Sequence, residues 1–325
     1  MTGVSGVADP ELHDVLGRLS RLPGPVSEVV PLLGGLTNRN FTITAAGQRF
    51  VLRIPTPGGA LLGIDRAAER HNARVAAQIG VGPRVVESVD ELGALVVDFL
   101  DARTLTPADL AHPETLARVA TAIRRLHQGP PFAGRFDMVA AWERYLHAVR
   151  TNGFRVPAGY LDHEPRIRQA AQALRRSSGG AAPCHNDLLA ANLLDDGQRI
   201  WVVDYEYAAA NDPAFDLGNL WSEAAQPSGF GVEMLDELVA AYQGRVDPVL
   251  SARAWLWGVV AQYAWTMWAS IQDAAAGLDF DFWSWGTAKY DWSAALLADP
   301  LFDRSLALLA APAPRPVPVS HQEDQ

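Results

Sequence analysis

Three side chains in the middle of the chain have the types and the spacing that phosphoryl transfer requires. Asp187 closes a His-x-Asp pair, Asn192 lies five residues further on, and Asp204 lies seventeen residues beyond Asp187. Transfer of phosphate from a nucleotide to an alcohol needs a carboxylate that holds the attacking hydroxyl, and an amide and a second carboxylate that hold magnesium. The sequence therefore predicts a kinase in which Asp187, Asn192 and Asp204 are catalytic, with Asn192 and Asp204 as the Mg²⁺ ligands.

The segment between these residues is expected to be a hairpin. The run 195–197 is Asp-Asp-Gly, a strong turn signal, and it separates the apolar stretches 192–194 and 200–203. A tight hairpin returns the chain on itself, so Asn192 and Asp204 can face one metal site.

The first third of the chain is predicted to bind the nucleotide. Segments 29–33, 40–44 and 49–55 have the composition of strands, and 65–78 has that of a helix capped by Asp65. Between the first two strands, the Gly-Gly-x-Thr-Asn sequence ending in Thr37 and Asn38 offers free N–H groups and short polar side chains that can cover phosphates. A plain hairpin turn explains this sequence equally well.

A cation is expected on the third strand, where nucleotide kinases pair one with the phosphates. The only lysine of the chain is Lys289, so Arg53 must take this role. Glu69, in the first turns of the following helix, could pair with Arg53. The alternative is that both are exposed surface charges.

The order of predicted elements indicates an α+β, two-lobed, protein-kinase-like fold, with a small antiparallel-sheet lobe followed by a large, mainly helical lobe. Segment 96–100 is the expected connector, where the backbone of Val97 and Phe99 would meet the adenine edge. The predicted division is a nucleotide-binding lobe (1–97), a hinge (98–104), a catalytic and substrate-binding lobe (105–310) and a disordered proline-rich tail (311–325). Helices are predicted at 10–21, 113–128, 135–150, 163–177, 232–244, 250–274 and 279–297.

Composition narrows the function further. The 325 residues carry a net charge of −10, which argues against a nucleic-acid partner because phosphate backbones bind basic surfaces. The single cysteine, Cys184, excludes an internal disulfide. The N-terminus has no signal-peptide pattern, so a cytoplasmic protein is expected. Residues 254–272 are uncharged, but their glutamines and centrally placed tryptophans favour a buried core helix over a membrane span.

Several motifs together resemble the choline/ethanolamine kinase family, close to its bacterial LicA-like branch, within the aminoglycoside-phosphotransferase-like kinases. The resemblance covers roughly residues 30–300. It is carried by the following sequences: GGLTNRNF, VLRIP, CHNDLLAANLL, VDYEYAAANDPAFDLGN and WTMWASIQ. The VLRIP strand and the Asp-Tyr-Glu-Tyr-Ala motif followed by FDLGN indicate this branch more narrowly than the His-x-Asp element does.

The resemblance implies roles for individual residues. Asp187 matches the aspartate that deprotonates the alcohol, Asn192 and Asp204 match the magnesium ligands, and Thr37 and Asn38 fall in the nucleotide loop. Arg53 and Glu69 match the phosphate-binding arginine and its helix partner. His185 and Asp216 are expected to restrain the catalytic loop.

The same resemblance implies that the acceptor is choline. Six of the ten tryptophans lie within 255–285, and aromatic faces attract quaternary ammonium groups. In the family, the positions of Trp265, Trp268 and Trp285 resemble a cage for the trimethylammonium group, with Glu223 as an acidic residue near the cation. The expected reaction uses ATP and Mg²⁺ to phosphorylate the choline hydroxyl.

Other interpretations remain open. Ethanolamine, thiamine or another small amino alcohol could be the acceptor. An aminoglycoside is disfavoured because a polycationic sugar would want an acidic cleft. A catalytically inactive nucleotide-binding protein is disfavoured because Asp187, Asn192 and Asp204 are all present. The chain is expected to be a monomer or a homodimer with no membrane partner.

Overall fold

The computed structural model describes residues 9–32, 35–56, 62–276 and 279–311. Strands β1 to β10 are Val26–Leu32, Asn38–Ala45, Gln48–Pro55, Val85–Val89, Ala94–Asp98, Arg103–Thr104, Ala182–Cys184, Leu193–Asp195, Ile200–Val202 and Ala209–Asn211. Helices α1 to α10 are Pro10–Arg18, Arg66–Gln78, Pro113–His127, Met138–Asn152, Glu164–Arg176, Pro213–Ser228, Val232–Gln243, Pro248–Ala275, Phe282–Ala298 and Pro300–Ala310. The predicted tail lies outside the described residues, apart from Ala311.

The first half of the fold is a five-stranded antiparallel sheet in the order β1-β2-β3-β5-β4. Side chains alternate between its faces. On β3, Phe50, Leu52 and Ile54 are buried in an apolar cluster that includes residues of α1, β2 and β5. Arg53 has the opposite orientation and is therefore available to a site on the other face. The strands predicted here are confirmed, although Gly34 of the predicted phosphate turn lies outside the described residues.

The connector between the sheet and the helices begins later than predicted. Val96 and Val97 belong to β5, because the run 95–97 pairs with β3 and β4. Residues 103–104, placed in the hinge by the sequence, form β6 and pair with β8. The domain boundaries themselves stay a prediction.

The centre of the helical half is α8, which is buried from Ser251 to Gln272. This confirms the prediction of a core helix, and none of the described helices combines the length and apolarity needed to cross a bilayer. Gly218 on α6 and Gly258 on α8 let the two backbones touch: a Cβ at Gly218 would lie 1.9 Å from the carbonyl oxygen of Ala254. The close approach fixes α6 against α8.

Two helices, α6 and α10, were not predicted. Both begin at an Asp-Pro pair, in which the aspartate side chain accepts a hydrogen bond from a first-turn amide and proline occupies a first-turn position. The same pair begins α1 and α8. The signal was therefore present in the sequence at Asp212-Pro213 and Asp299-Pro300.

Candidate active site

One cavity of about 510 Å³ collects almost all of the residues that the sequence singled out. It lies between the five-stranded sheet and the helical half. Of the predicted site residues, only Asn38 is not part of its wall. The predicted residues that line it are Thr37, Arg53, Glu69, Val97, Phe99, Asp187, Asn192, Asp204, Glu223, Trp265, Trp268 and Trp285.

A buried carboxylate holds the catalytic loop that follows β7. Asp216, on α6, accepts hydrogen bonds from the backbone amides of His185 and Asn186, both at 2.8 Å, and from His127. Asn186 has a φ of 66°, a left-handed conformation that asparagine tolerates. The His185 ring bonds to the carbonyl oxygen of Val203 at 2.9 Å. These contacts fix the backbone immediately before Asp187, whose side chain lines the cavity.

The predicted hairpin brings Asn192 next to Asp204. Strands β8 and β9 pair across the 195–197 turn, and the amide of Val203 donates to the carbonyl of Asn192 at 3.0 Å. The Asn192 side chain donates to the backbone oxygen of Asp187 at 2.9 Å. Because the side-chain nitrogen of Asn192 bonds to the Asp187 backbone, the side-chain oxygen remains available as a ligand. Asp204 itself has a φ of 69°.

The carboxyl group of Asp187 lies in a crowded electrostatic environment. Burial, together with the negative charges of Asp204 and Glu206, raises the pKa of Asp187 well above its usual range. Glu223 acts in the same direction, whereas Lys289 opposes the shift. A carboxylate with a raised pKa is a stronger proton acceptor, which suits a group that takes a proton from an alcohol.

Arg53 connects the sheet to the catalytic residues. One of its terminal nitrogens lies 2.8 Å from Glu69 and 2.7 Å from Asp204. Burial alone would lower the pKa of Arg53, but the carboxylates of Asp204, Glu69 and Glu206 outweigh it and raise the pKa above its usual value. The arginine is therefore a fixed positive charge at the base of the cavity, paired with Glu69 as expected.

Glu206, which the sequence analysis did not place in the site, binds Thr37 and Asn38, the residues predicted to lie in the nucleotide loop. It accepts hydrogen bonds from Thr37 at 2.7 Å and from Asn38 at 3.0 Å. Arg53 and Arg66 each lie 3.3 Å from it. Burial and the charge of Asp204 raise the pKa of Glu206 to about 7, despite the two arginines. Glu206 lies two residues after Asp204, and this spacing could have indicated from the sequence that it belongs to the site.

The donor set fits a magnesium ion. Oδ1 of Asp204 is buried and accepts no hydrogen bond from the described residues, although it contacts Arg53. The side-chain oxygen of Asn192 is the second oxygen donor, and Mg²⁺ prefers such ligands. The excess of carboxylates that raises the pKa of Asp187 is an environment that a divalent cation would neutralise.

An aromatic wall closes the far end of the cavity. Trp265 and Trp268 on α8 and Trp285 on α9 meet edge-to-face, with ring centroids 6.2 Å apart for the first pair and 5.6 Å for Trp268 and Trp285. Tyr207, missed by the sequence analysis, lies 5.5 Å from Trp265 and accepts a hydrogen bond from the Trp268 indole at 2.8 Å. The Trp265 indole donates to Asn219 at 3.1 Å. The indole N–H groups of Trp265 and Trp268 therefore both have acceptors, and the wall presents aromatic rings to the cavity.

Glu223 reaches this wall but is already paired. Lys289 lies 2.5 Å from its Oε1 atom, and Gln262 donates to the same atom at 2.8 Å. The sequence placed Glu223 correctly at the cavity but gave no indication that the only lysine would meet it there, because 66 residues separate the two.

Comparisons with known proteins agree with this geometry. A model of the phosphotransferase enzyme family matches residues 28–256. The crystal structure of a choline/ethanolamine kinase family protein from Mesorhizobium loti is similar with a TM-score of 0.77 and 33% identity, over 92% of this chain and 99% of that one. The chain belongs to the phosphotransferase enzyme family, as a choline-kinase-like member that acts on alcohol groups. The predicted protein-kinase-like fold and family resemblance are confirmed.

Two relatives of similar identity are named as kinases of different acceptors. Probable choline kinase 3 of Arabidopsis thaliana is 30% identical over 234 residues, which cover 66% of this chain and 66% of that protein. A thiamine kinase of Escherichia coli O139:H28 is 30% identical over 221 residues, which cover 66% of this chain and 73% of that protein. The acceptor must therefore be argued from the site.

Proposed function

We propose that this protein is an ATP- and Mg²⁺-dependent kinase that phosphorylates the hydroxyl group of choline. The observation that supports this most is the aromatic wall, which shares one cavity with Asp187, Asn192 and Asp204. A kinase with a wall of ring faces opposite its catalytic carboxylate is suited to an alcohol whose other end is an apolar cation.

The wall suits a quaternary ammonium for a physical reason. Such a cation carries methyl groups and no N–H donors, so it loses no hydrogen bonds among aromatic rings, and each ring face attracts it by about 0.5–2 kcal/mol. Trp265, Trp268 and Tyr207 supply the faces, and Trp285, which has Lys289 beside its ring, completes the wall. In choline the hydroxyl is two carbons from the nitrogen, and we expect it to point from this wall toward Asp187.

In the proposed reaction, the Asp187 carboxylate accepts the proton of the acceptor hydroxyl. As the acceptor oxygen bonds to the γ-phosphorus, the bond from that phosphorus to the bridging oxygen breaks, ADP leaves, and Asp187 takes the hydroxyl proton. Arg53 provides positive charge for the phosphates, while Thr37 and Asn38, at the start of β2, lie where the segment that would cover them ends. Val97 and Phe99 line the cavity where adenine is expected, although the Phe99 amide bonds to the Arg49 carbonyl at 3.4 Å.

Asn192 and Asp204 would hold the magnesium ion. When bound, it neutralises charge on the triphosphate. The protein contributes the positions of the two ligands: Asp204 is fixed by its contact with Arg53, and Asn192 by its bond to the Asp187 backbone.

Thiamine is the second candidate. It also carries a hydroxyethyl group on a cationic aromatic ring, and its charged nitrogen has no N–H donor. A thiamine kinase is among the relatives.

Ethanolamine is disfavoured because its primary ammonium needs about three acceptors, and Glu223 is already paired. An aminoglycoside would face the same shortage. The intact Asp187, Asn192 and Asp204 disfavour an inactive nucleotide-binding protein. A cytoplasmic location and a monomeric or homodimeric state stay predictions.

A coupled ADP-release assay with choline, thiamine, ethanolamine and kanamycin as acceptors tests the proposal. We expect turnover with choline at the highest kcat/KM, dependence on Mg²⁺, and loss of turnover in Asp187→Asn. Preferred use of thiamine would replace the proposed acceptor, and no turnover with any alcohol would favour an inactive protein.

A further inference from the structure

The only lysine of the chain packs against two residues that line the acceptor end of the cavity, Glu223 and Trp285. Of the 27 lysines and arginines, Lys289 alone is a lysine, and its side chain is 2% exposed. Its Nζ atom lies 2.5 Å from Oε1 of Glu223 and 3.4 Å from Oε1 of Gln262. A buried ammonium must be paired to be tolerated, and here its partner is a carboxylate of the cavity wall.

Lys289 also contacts one ring of the aromatic wall. Its Nζ lies 4.2 Å from the ring centroid of Trp285, which is four residues earlier on the same helix face. The protein therefore supplies its own cation at the two places where an acceptor's ammonium would gain charge attraction, the Glu223 carboxylate and the Trp285 face. The rings that remain for a ligand are those of Trp265, Trp268 and Tyr207.

We propose that Lys289 is a specificity-determining residue that makes the acceptor pocket select quaternary over primary ammonium groups. This inference rests on the proposed function, and it adds a cause for the preference. With Lys289 in place, Glu223 already accepts two hydrogen bonds at one oxygen. A primary ammonium that enters must share the Glu223 carboxylate with Lys289, whose charge weakens its attraction and repels the incoming cation. A quaternary ammonium needs no acceptor and binds to the ring faces.

The test compares Lys289→Met with a double variant, Glu223→Gln with Lys289→Met. Lys289→Met frees the Glu223 carboxylate, so kcat/KM for ethanolamine should rise about tenfold or more, the size of one charge-assisted hydrogen bond. The value for choline should rise less, so the choline-to-ethanolamine ratio falls. In the double variant the carboxylate is gone, and the ratio should return toward that of the wild type. Arg166→Met, which removes a positive charge outside the cavity, is the matched control.

Non-reacting probes separate this proposal from the proposed function. Binding of methylammonium and tetramethylammonium, followed by tryptophan fluorescence, reports the same selectivity without turnover. An unchanged methylammonium affinity in Lys289→Met would overturn the role of Lys289, whatever the enzyme phosphorylates. If the wild type does not phosphorylate choline but shows the expected selectivity between the two probes, only the choice of alcohol is overturned.

The double variant also protects the test against a folding defect. Lys289→Met leaves a partly buried carboxylate without its counterion, whereas replacing both members of a buried pair by neutral groups is often well tolerated. If only the double variant folds, it should keep the wild-type affinity for tetramethylammonium. A loss of about tenfold or more there would contradict the proposal, because it would mean that the ion pair itself attracts the quaternary cation.

Discussion

Arg53 and Asp204 lie in contact, with 2.7 Å between a terminal nitrogen of Arg53 and Oδ1 of Asp204. The contact joins β3 of the five-stranded sheet to the residue that follows the β8–β9 hairpin. It places the cation proposed for the phosphates beside the carboxylate proposed for the metal. The same nitrogen also meets Glu69 at 2.8 Å, so its position is determined by two elements of the sheet half.

Arg53→Lys should impair the enzyme although the charge is kept. One ammonium on a flexible chain cannot reproduce the planar group that meets Glu69, Asp204 and Glu206. We expect a higher KM for ATP or a lower kcat, with little change in choline affinity. The control is Arg39→Lys on the neighbouring strand, whose partner Asp9 lies outside the cavity. Unchanged ATP kinetics would make Arg53 a structural charge only.

Asp187→Asn should keep nucleotide binding and lose turnover. The amide has the same shape but cannot take the hydroxyl proton, and a positioned general base contributes about 10²–10⁴-fold. Single-turnover rates and nucleotide binding measured by fluorescence check this. A rate within about threefold of the wild type would be too small a loss for this role.

Asp204→Ala and Asn192→Ala should differ in their response to magnesium. Loss of the carboxylate removes a charged ligand and should abolish productive nucleotide binding, whereas loss of the amide should be milder and partly rescued by excess Mg²⁺. Mg²⁺ titrations of kcat/KM for ATP measure this. If added Mg²⁺ affects neither variant, the metal assignment is wrong.

Much of this site could be predicted because its residues lie close together in sequence. Asp187, Asn192 and Asp204 belong to one loop and hairpin, so spacing and turn chemistry were sufficient. Lys289 could not be placed, because its partner is 66 residues away and the contact depends on how α9 packs against α8. Tyr207 was overlooked for a different reason: it lies three residues after Asp204 in the sequence, and its ring reaches the aromatic wall only through the fold.

The contribution of His185 to stability should fall when the protein is acidified below neutral pH, whereas the raised pKa values of Asp187 and Glu206 act in the opposite direction. Burial lowers the pKa of His185 below its ordinary value, despite the opposing charge of Asp216. The unfolded chain therefore binds a proton near pH 6.5 while the folded chain resists it, so stability is full above that pH and is lost as the pH falls toward the folded pKa. The contribution of one such histidine is at most about 1.4 kcal/mol per pH unit.

Denaturant unfolding of the ligand-free protein between pH 7.5 and 5.5 measures this contribution. The unfolding free energy of His185→Gln, which keeps a donor for the Val203 carbonyl, should therefore change in a more favourable direction on acidification than that of the wild type. Equal slopes for the wild type and the variant would assign the pH dependence to other groups.

The central claim is that an aromatic wall selects choline, and kcat/KM for choline and ethanolamine tests it most directly. Burying ammonium donors without acceptors costs about 1–3 kcal/mol per group, so the wild type should favour choline by one or more powers of ten. Trp268→Ala should raise the KM for choline by about 2- to 30-fold and leave the ATP constants nearly unchanged. Trp283→Ala, on α9 with Trp285 but outside the cavity, should change neither. Equal or better use of ethanolamine by the wild type would contradict the account and leave the tryptophans as core residues.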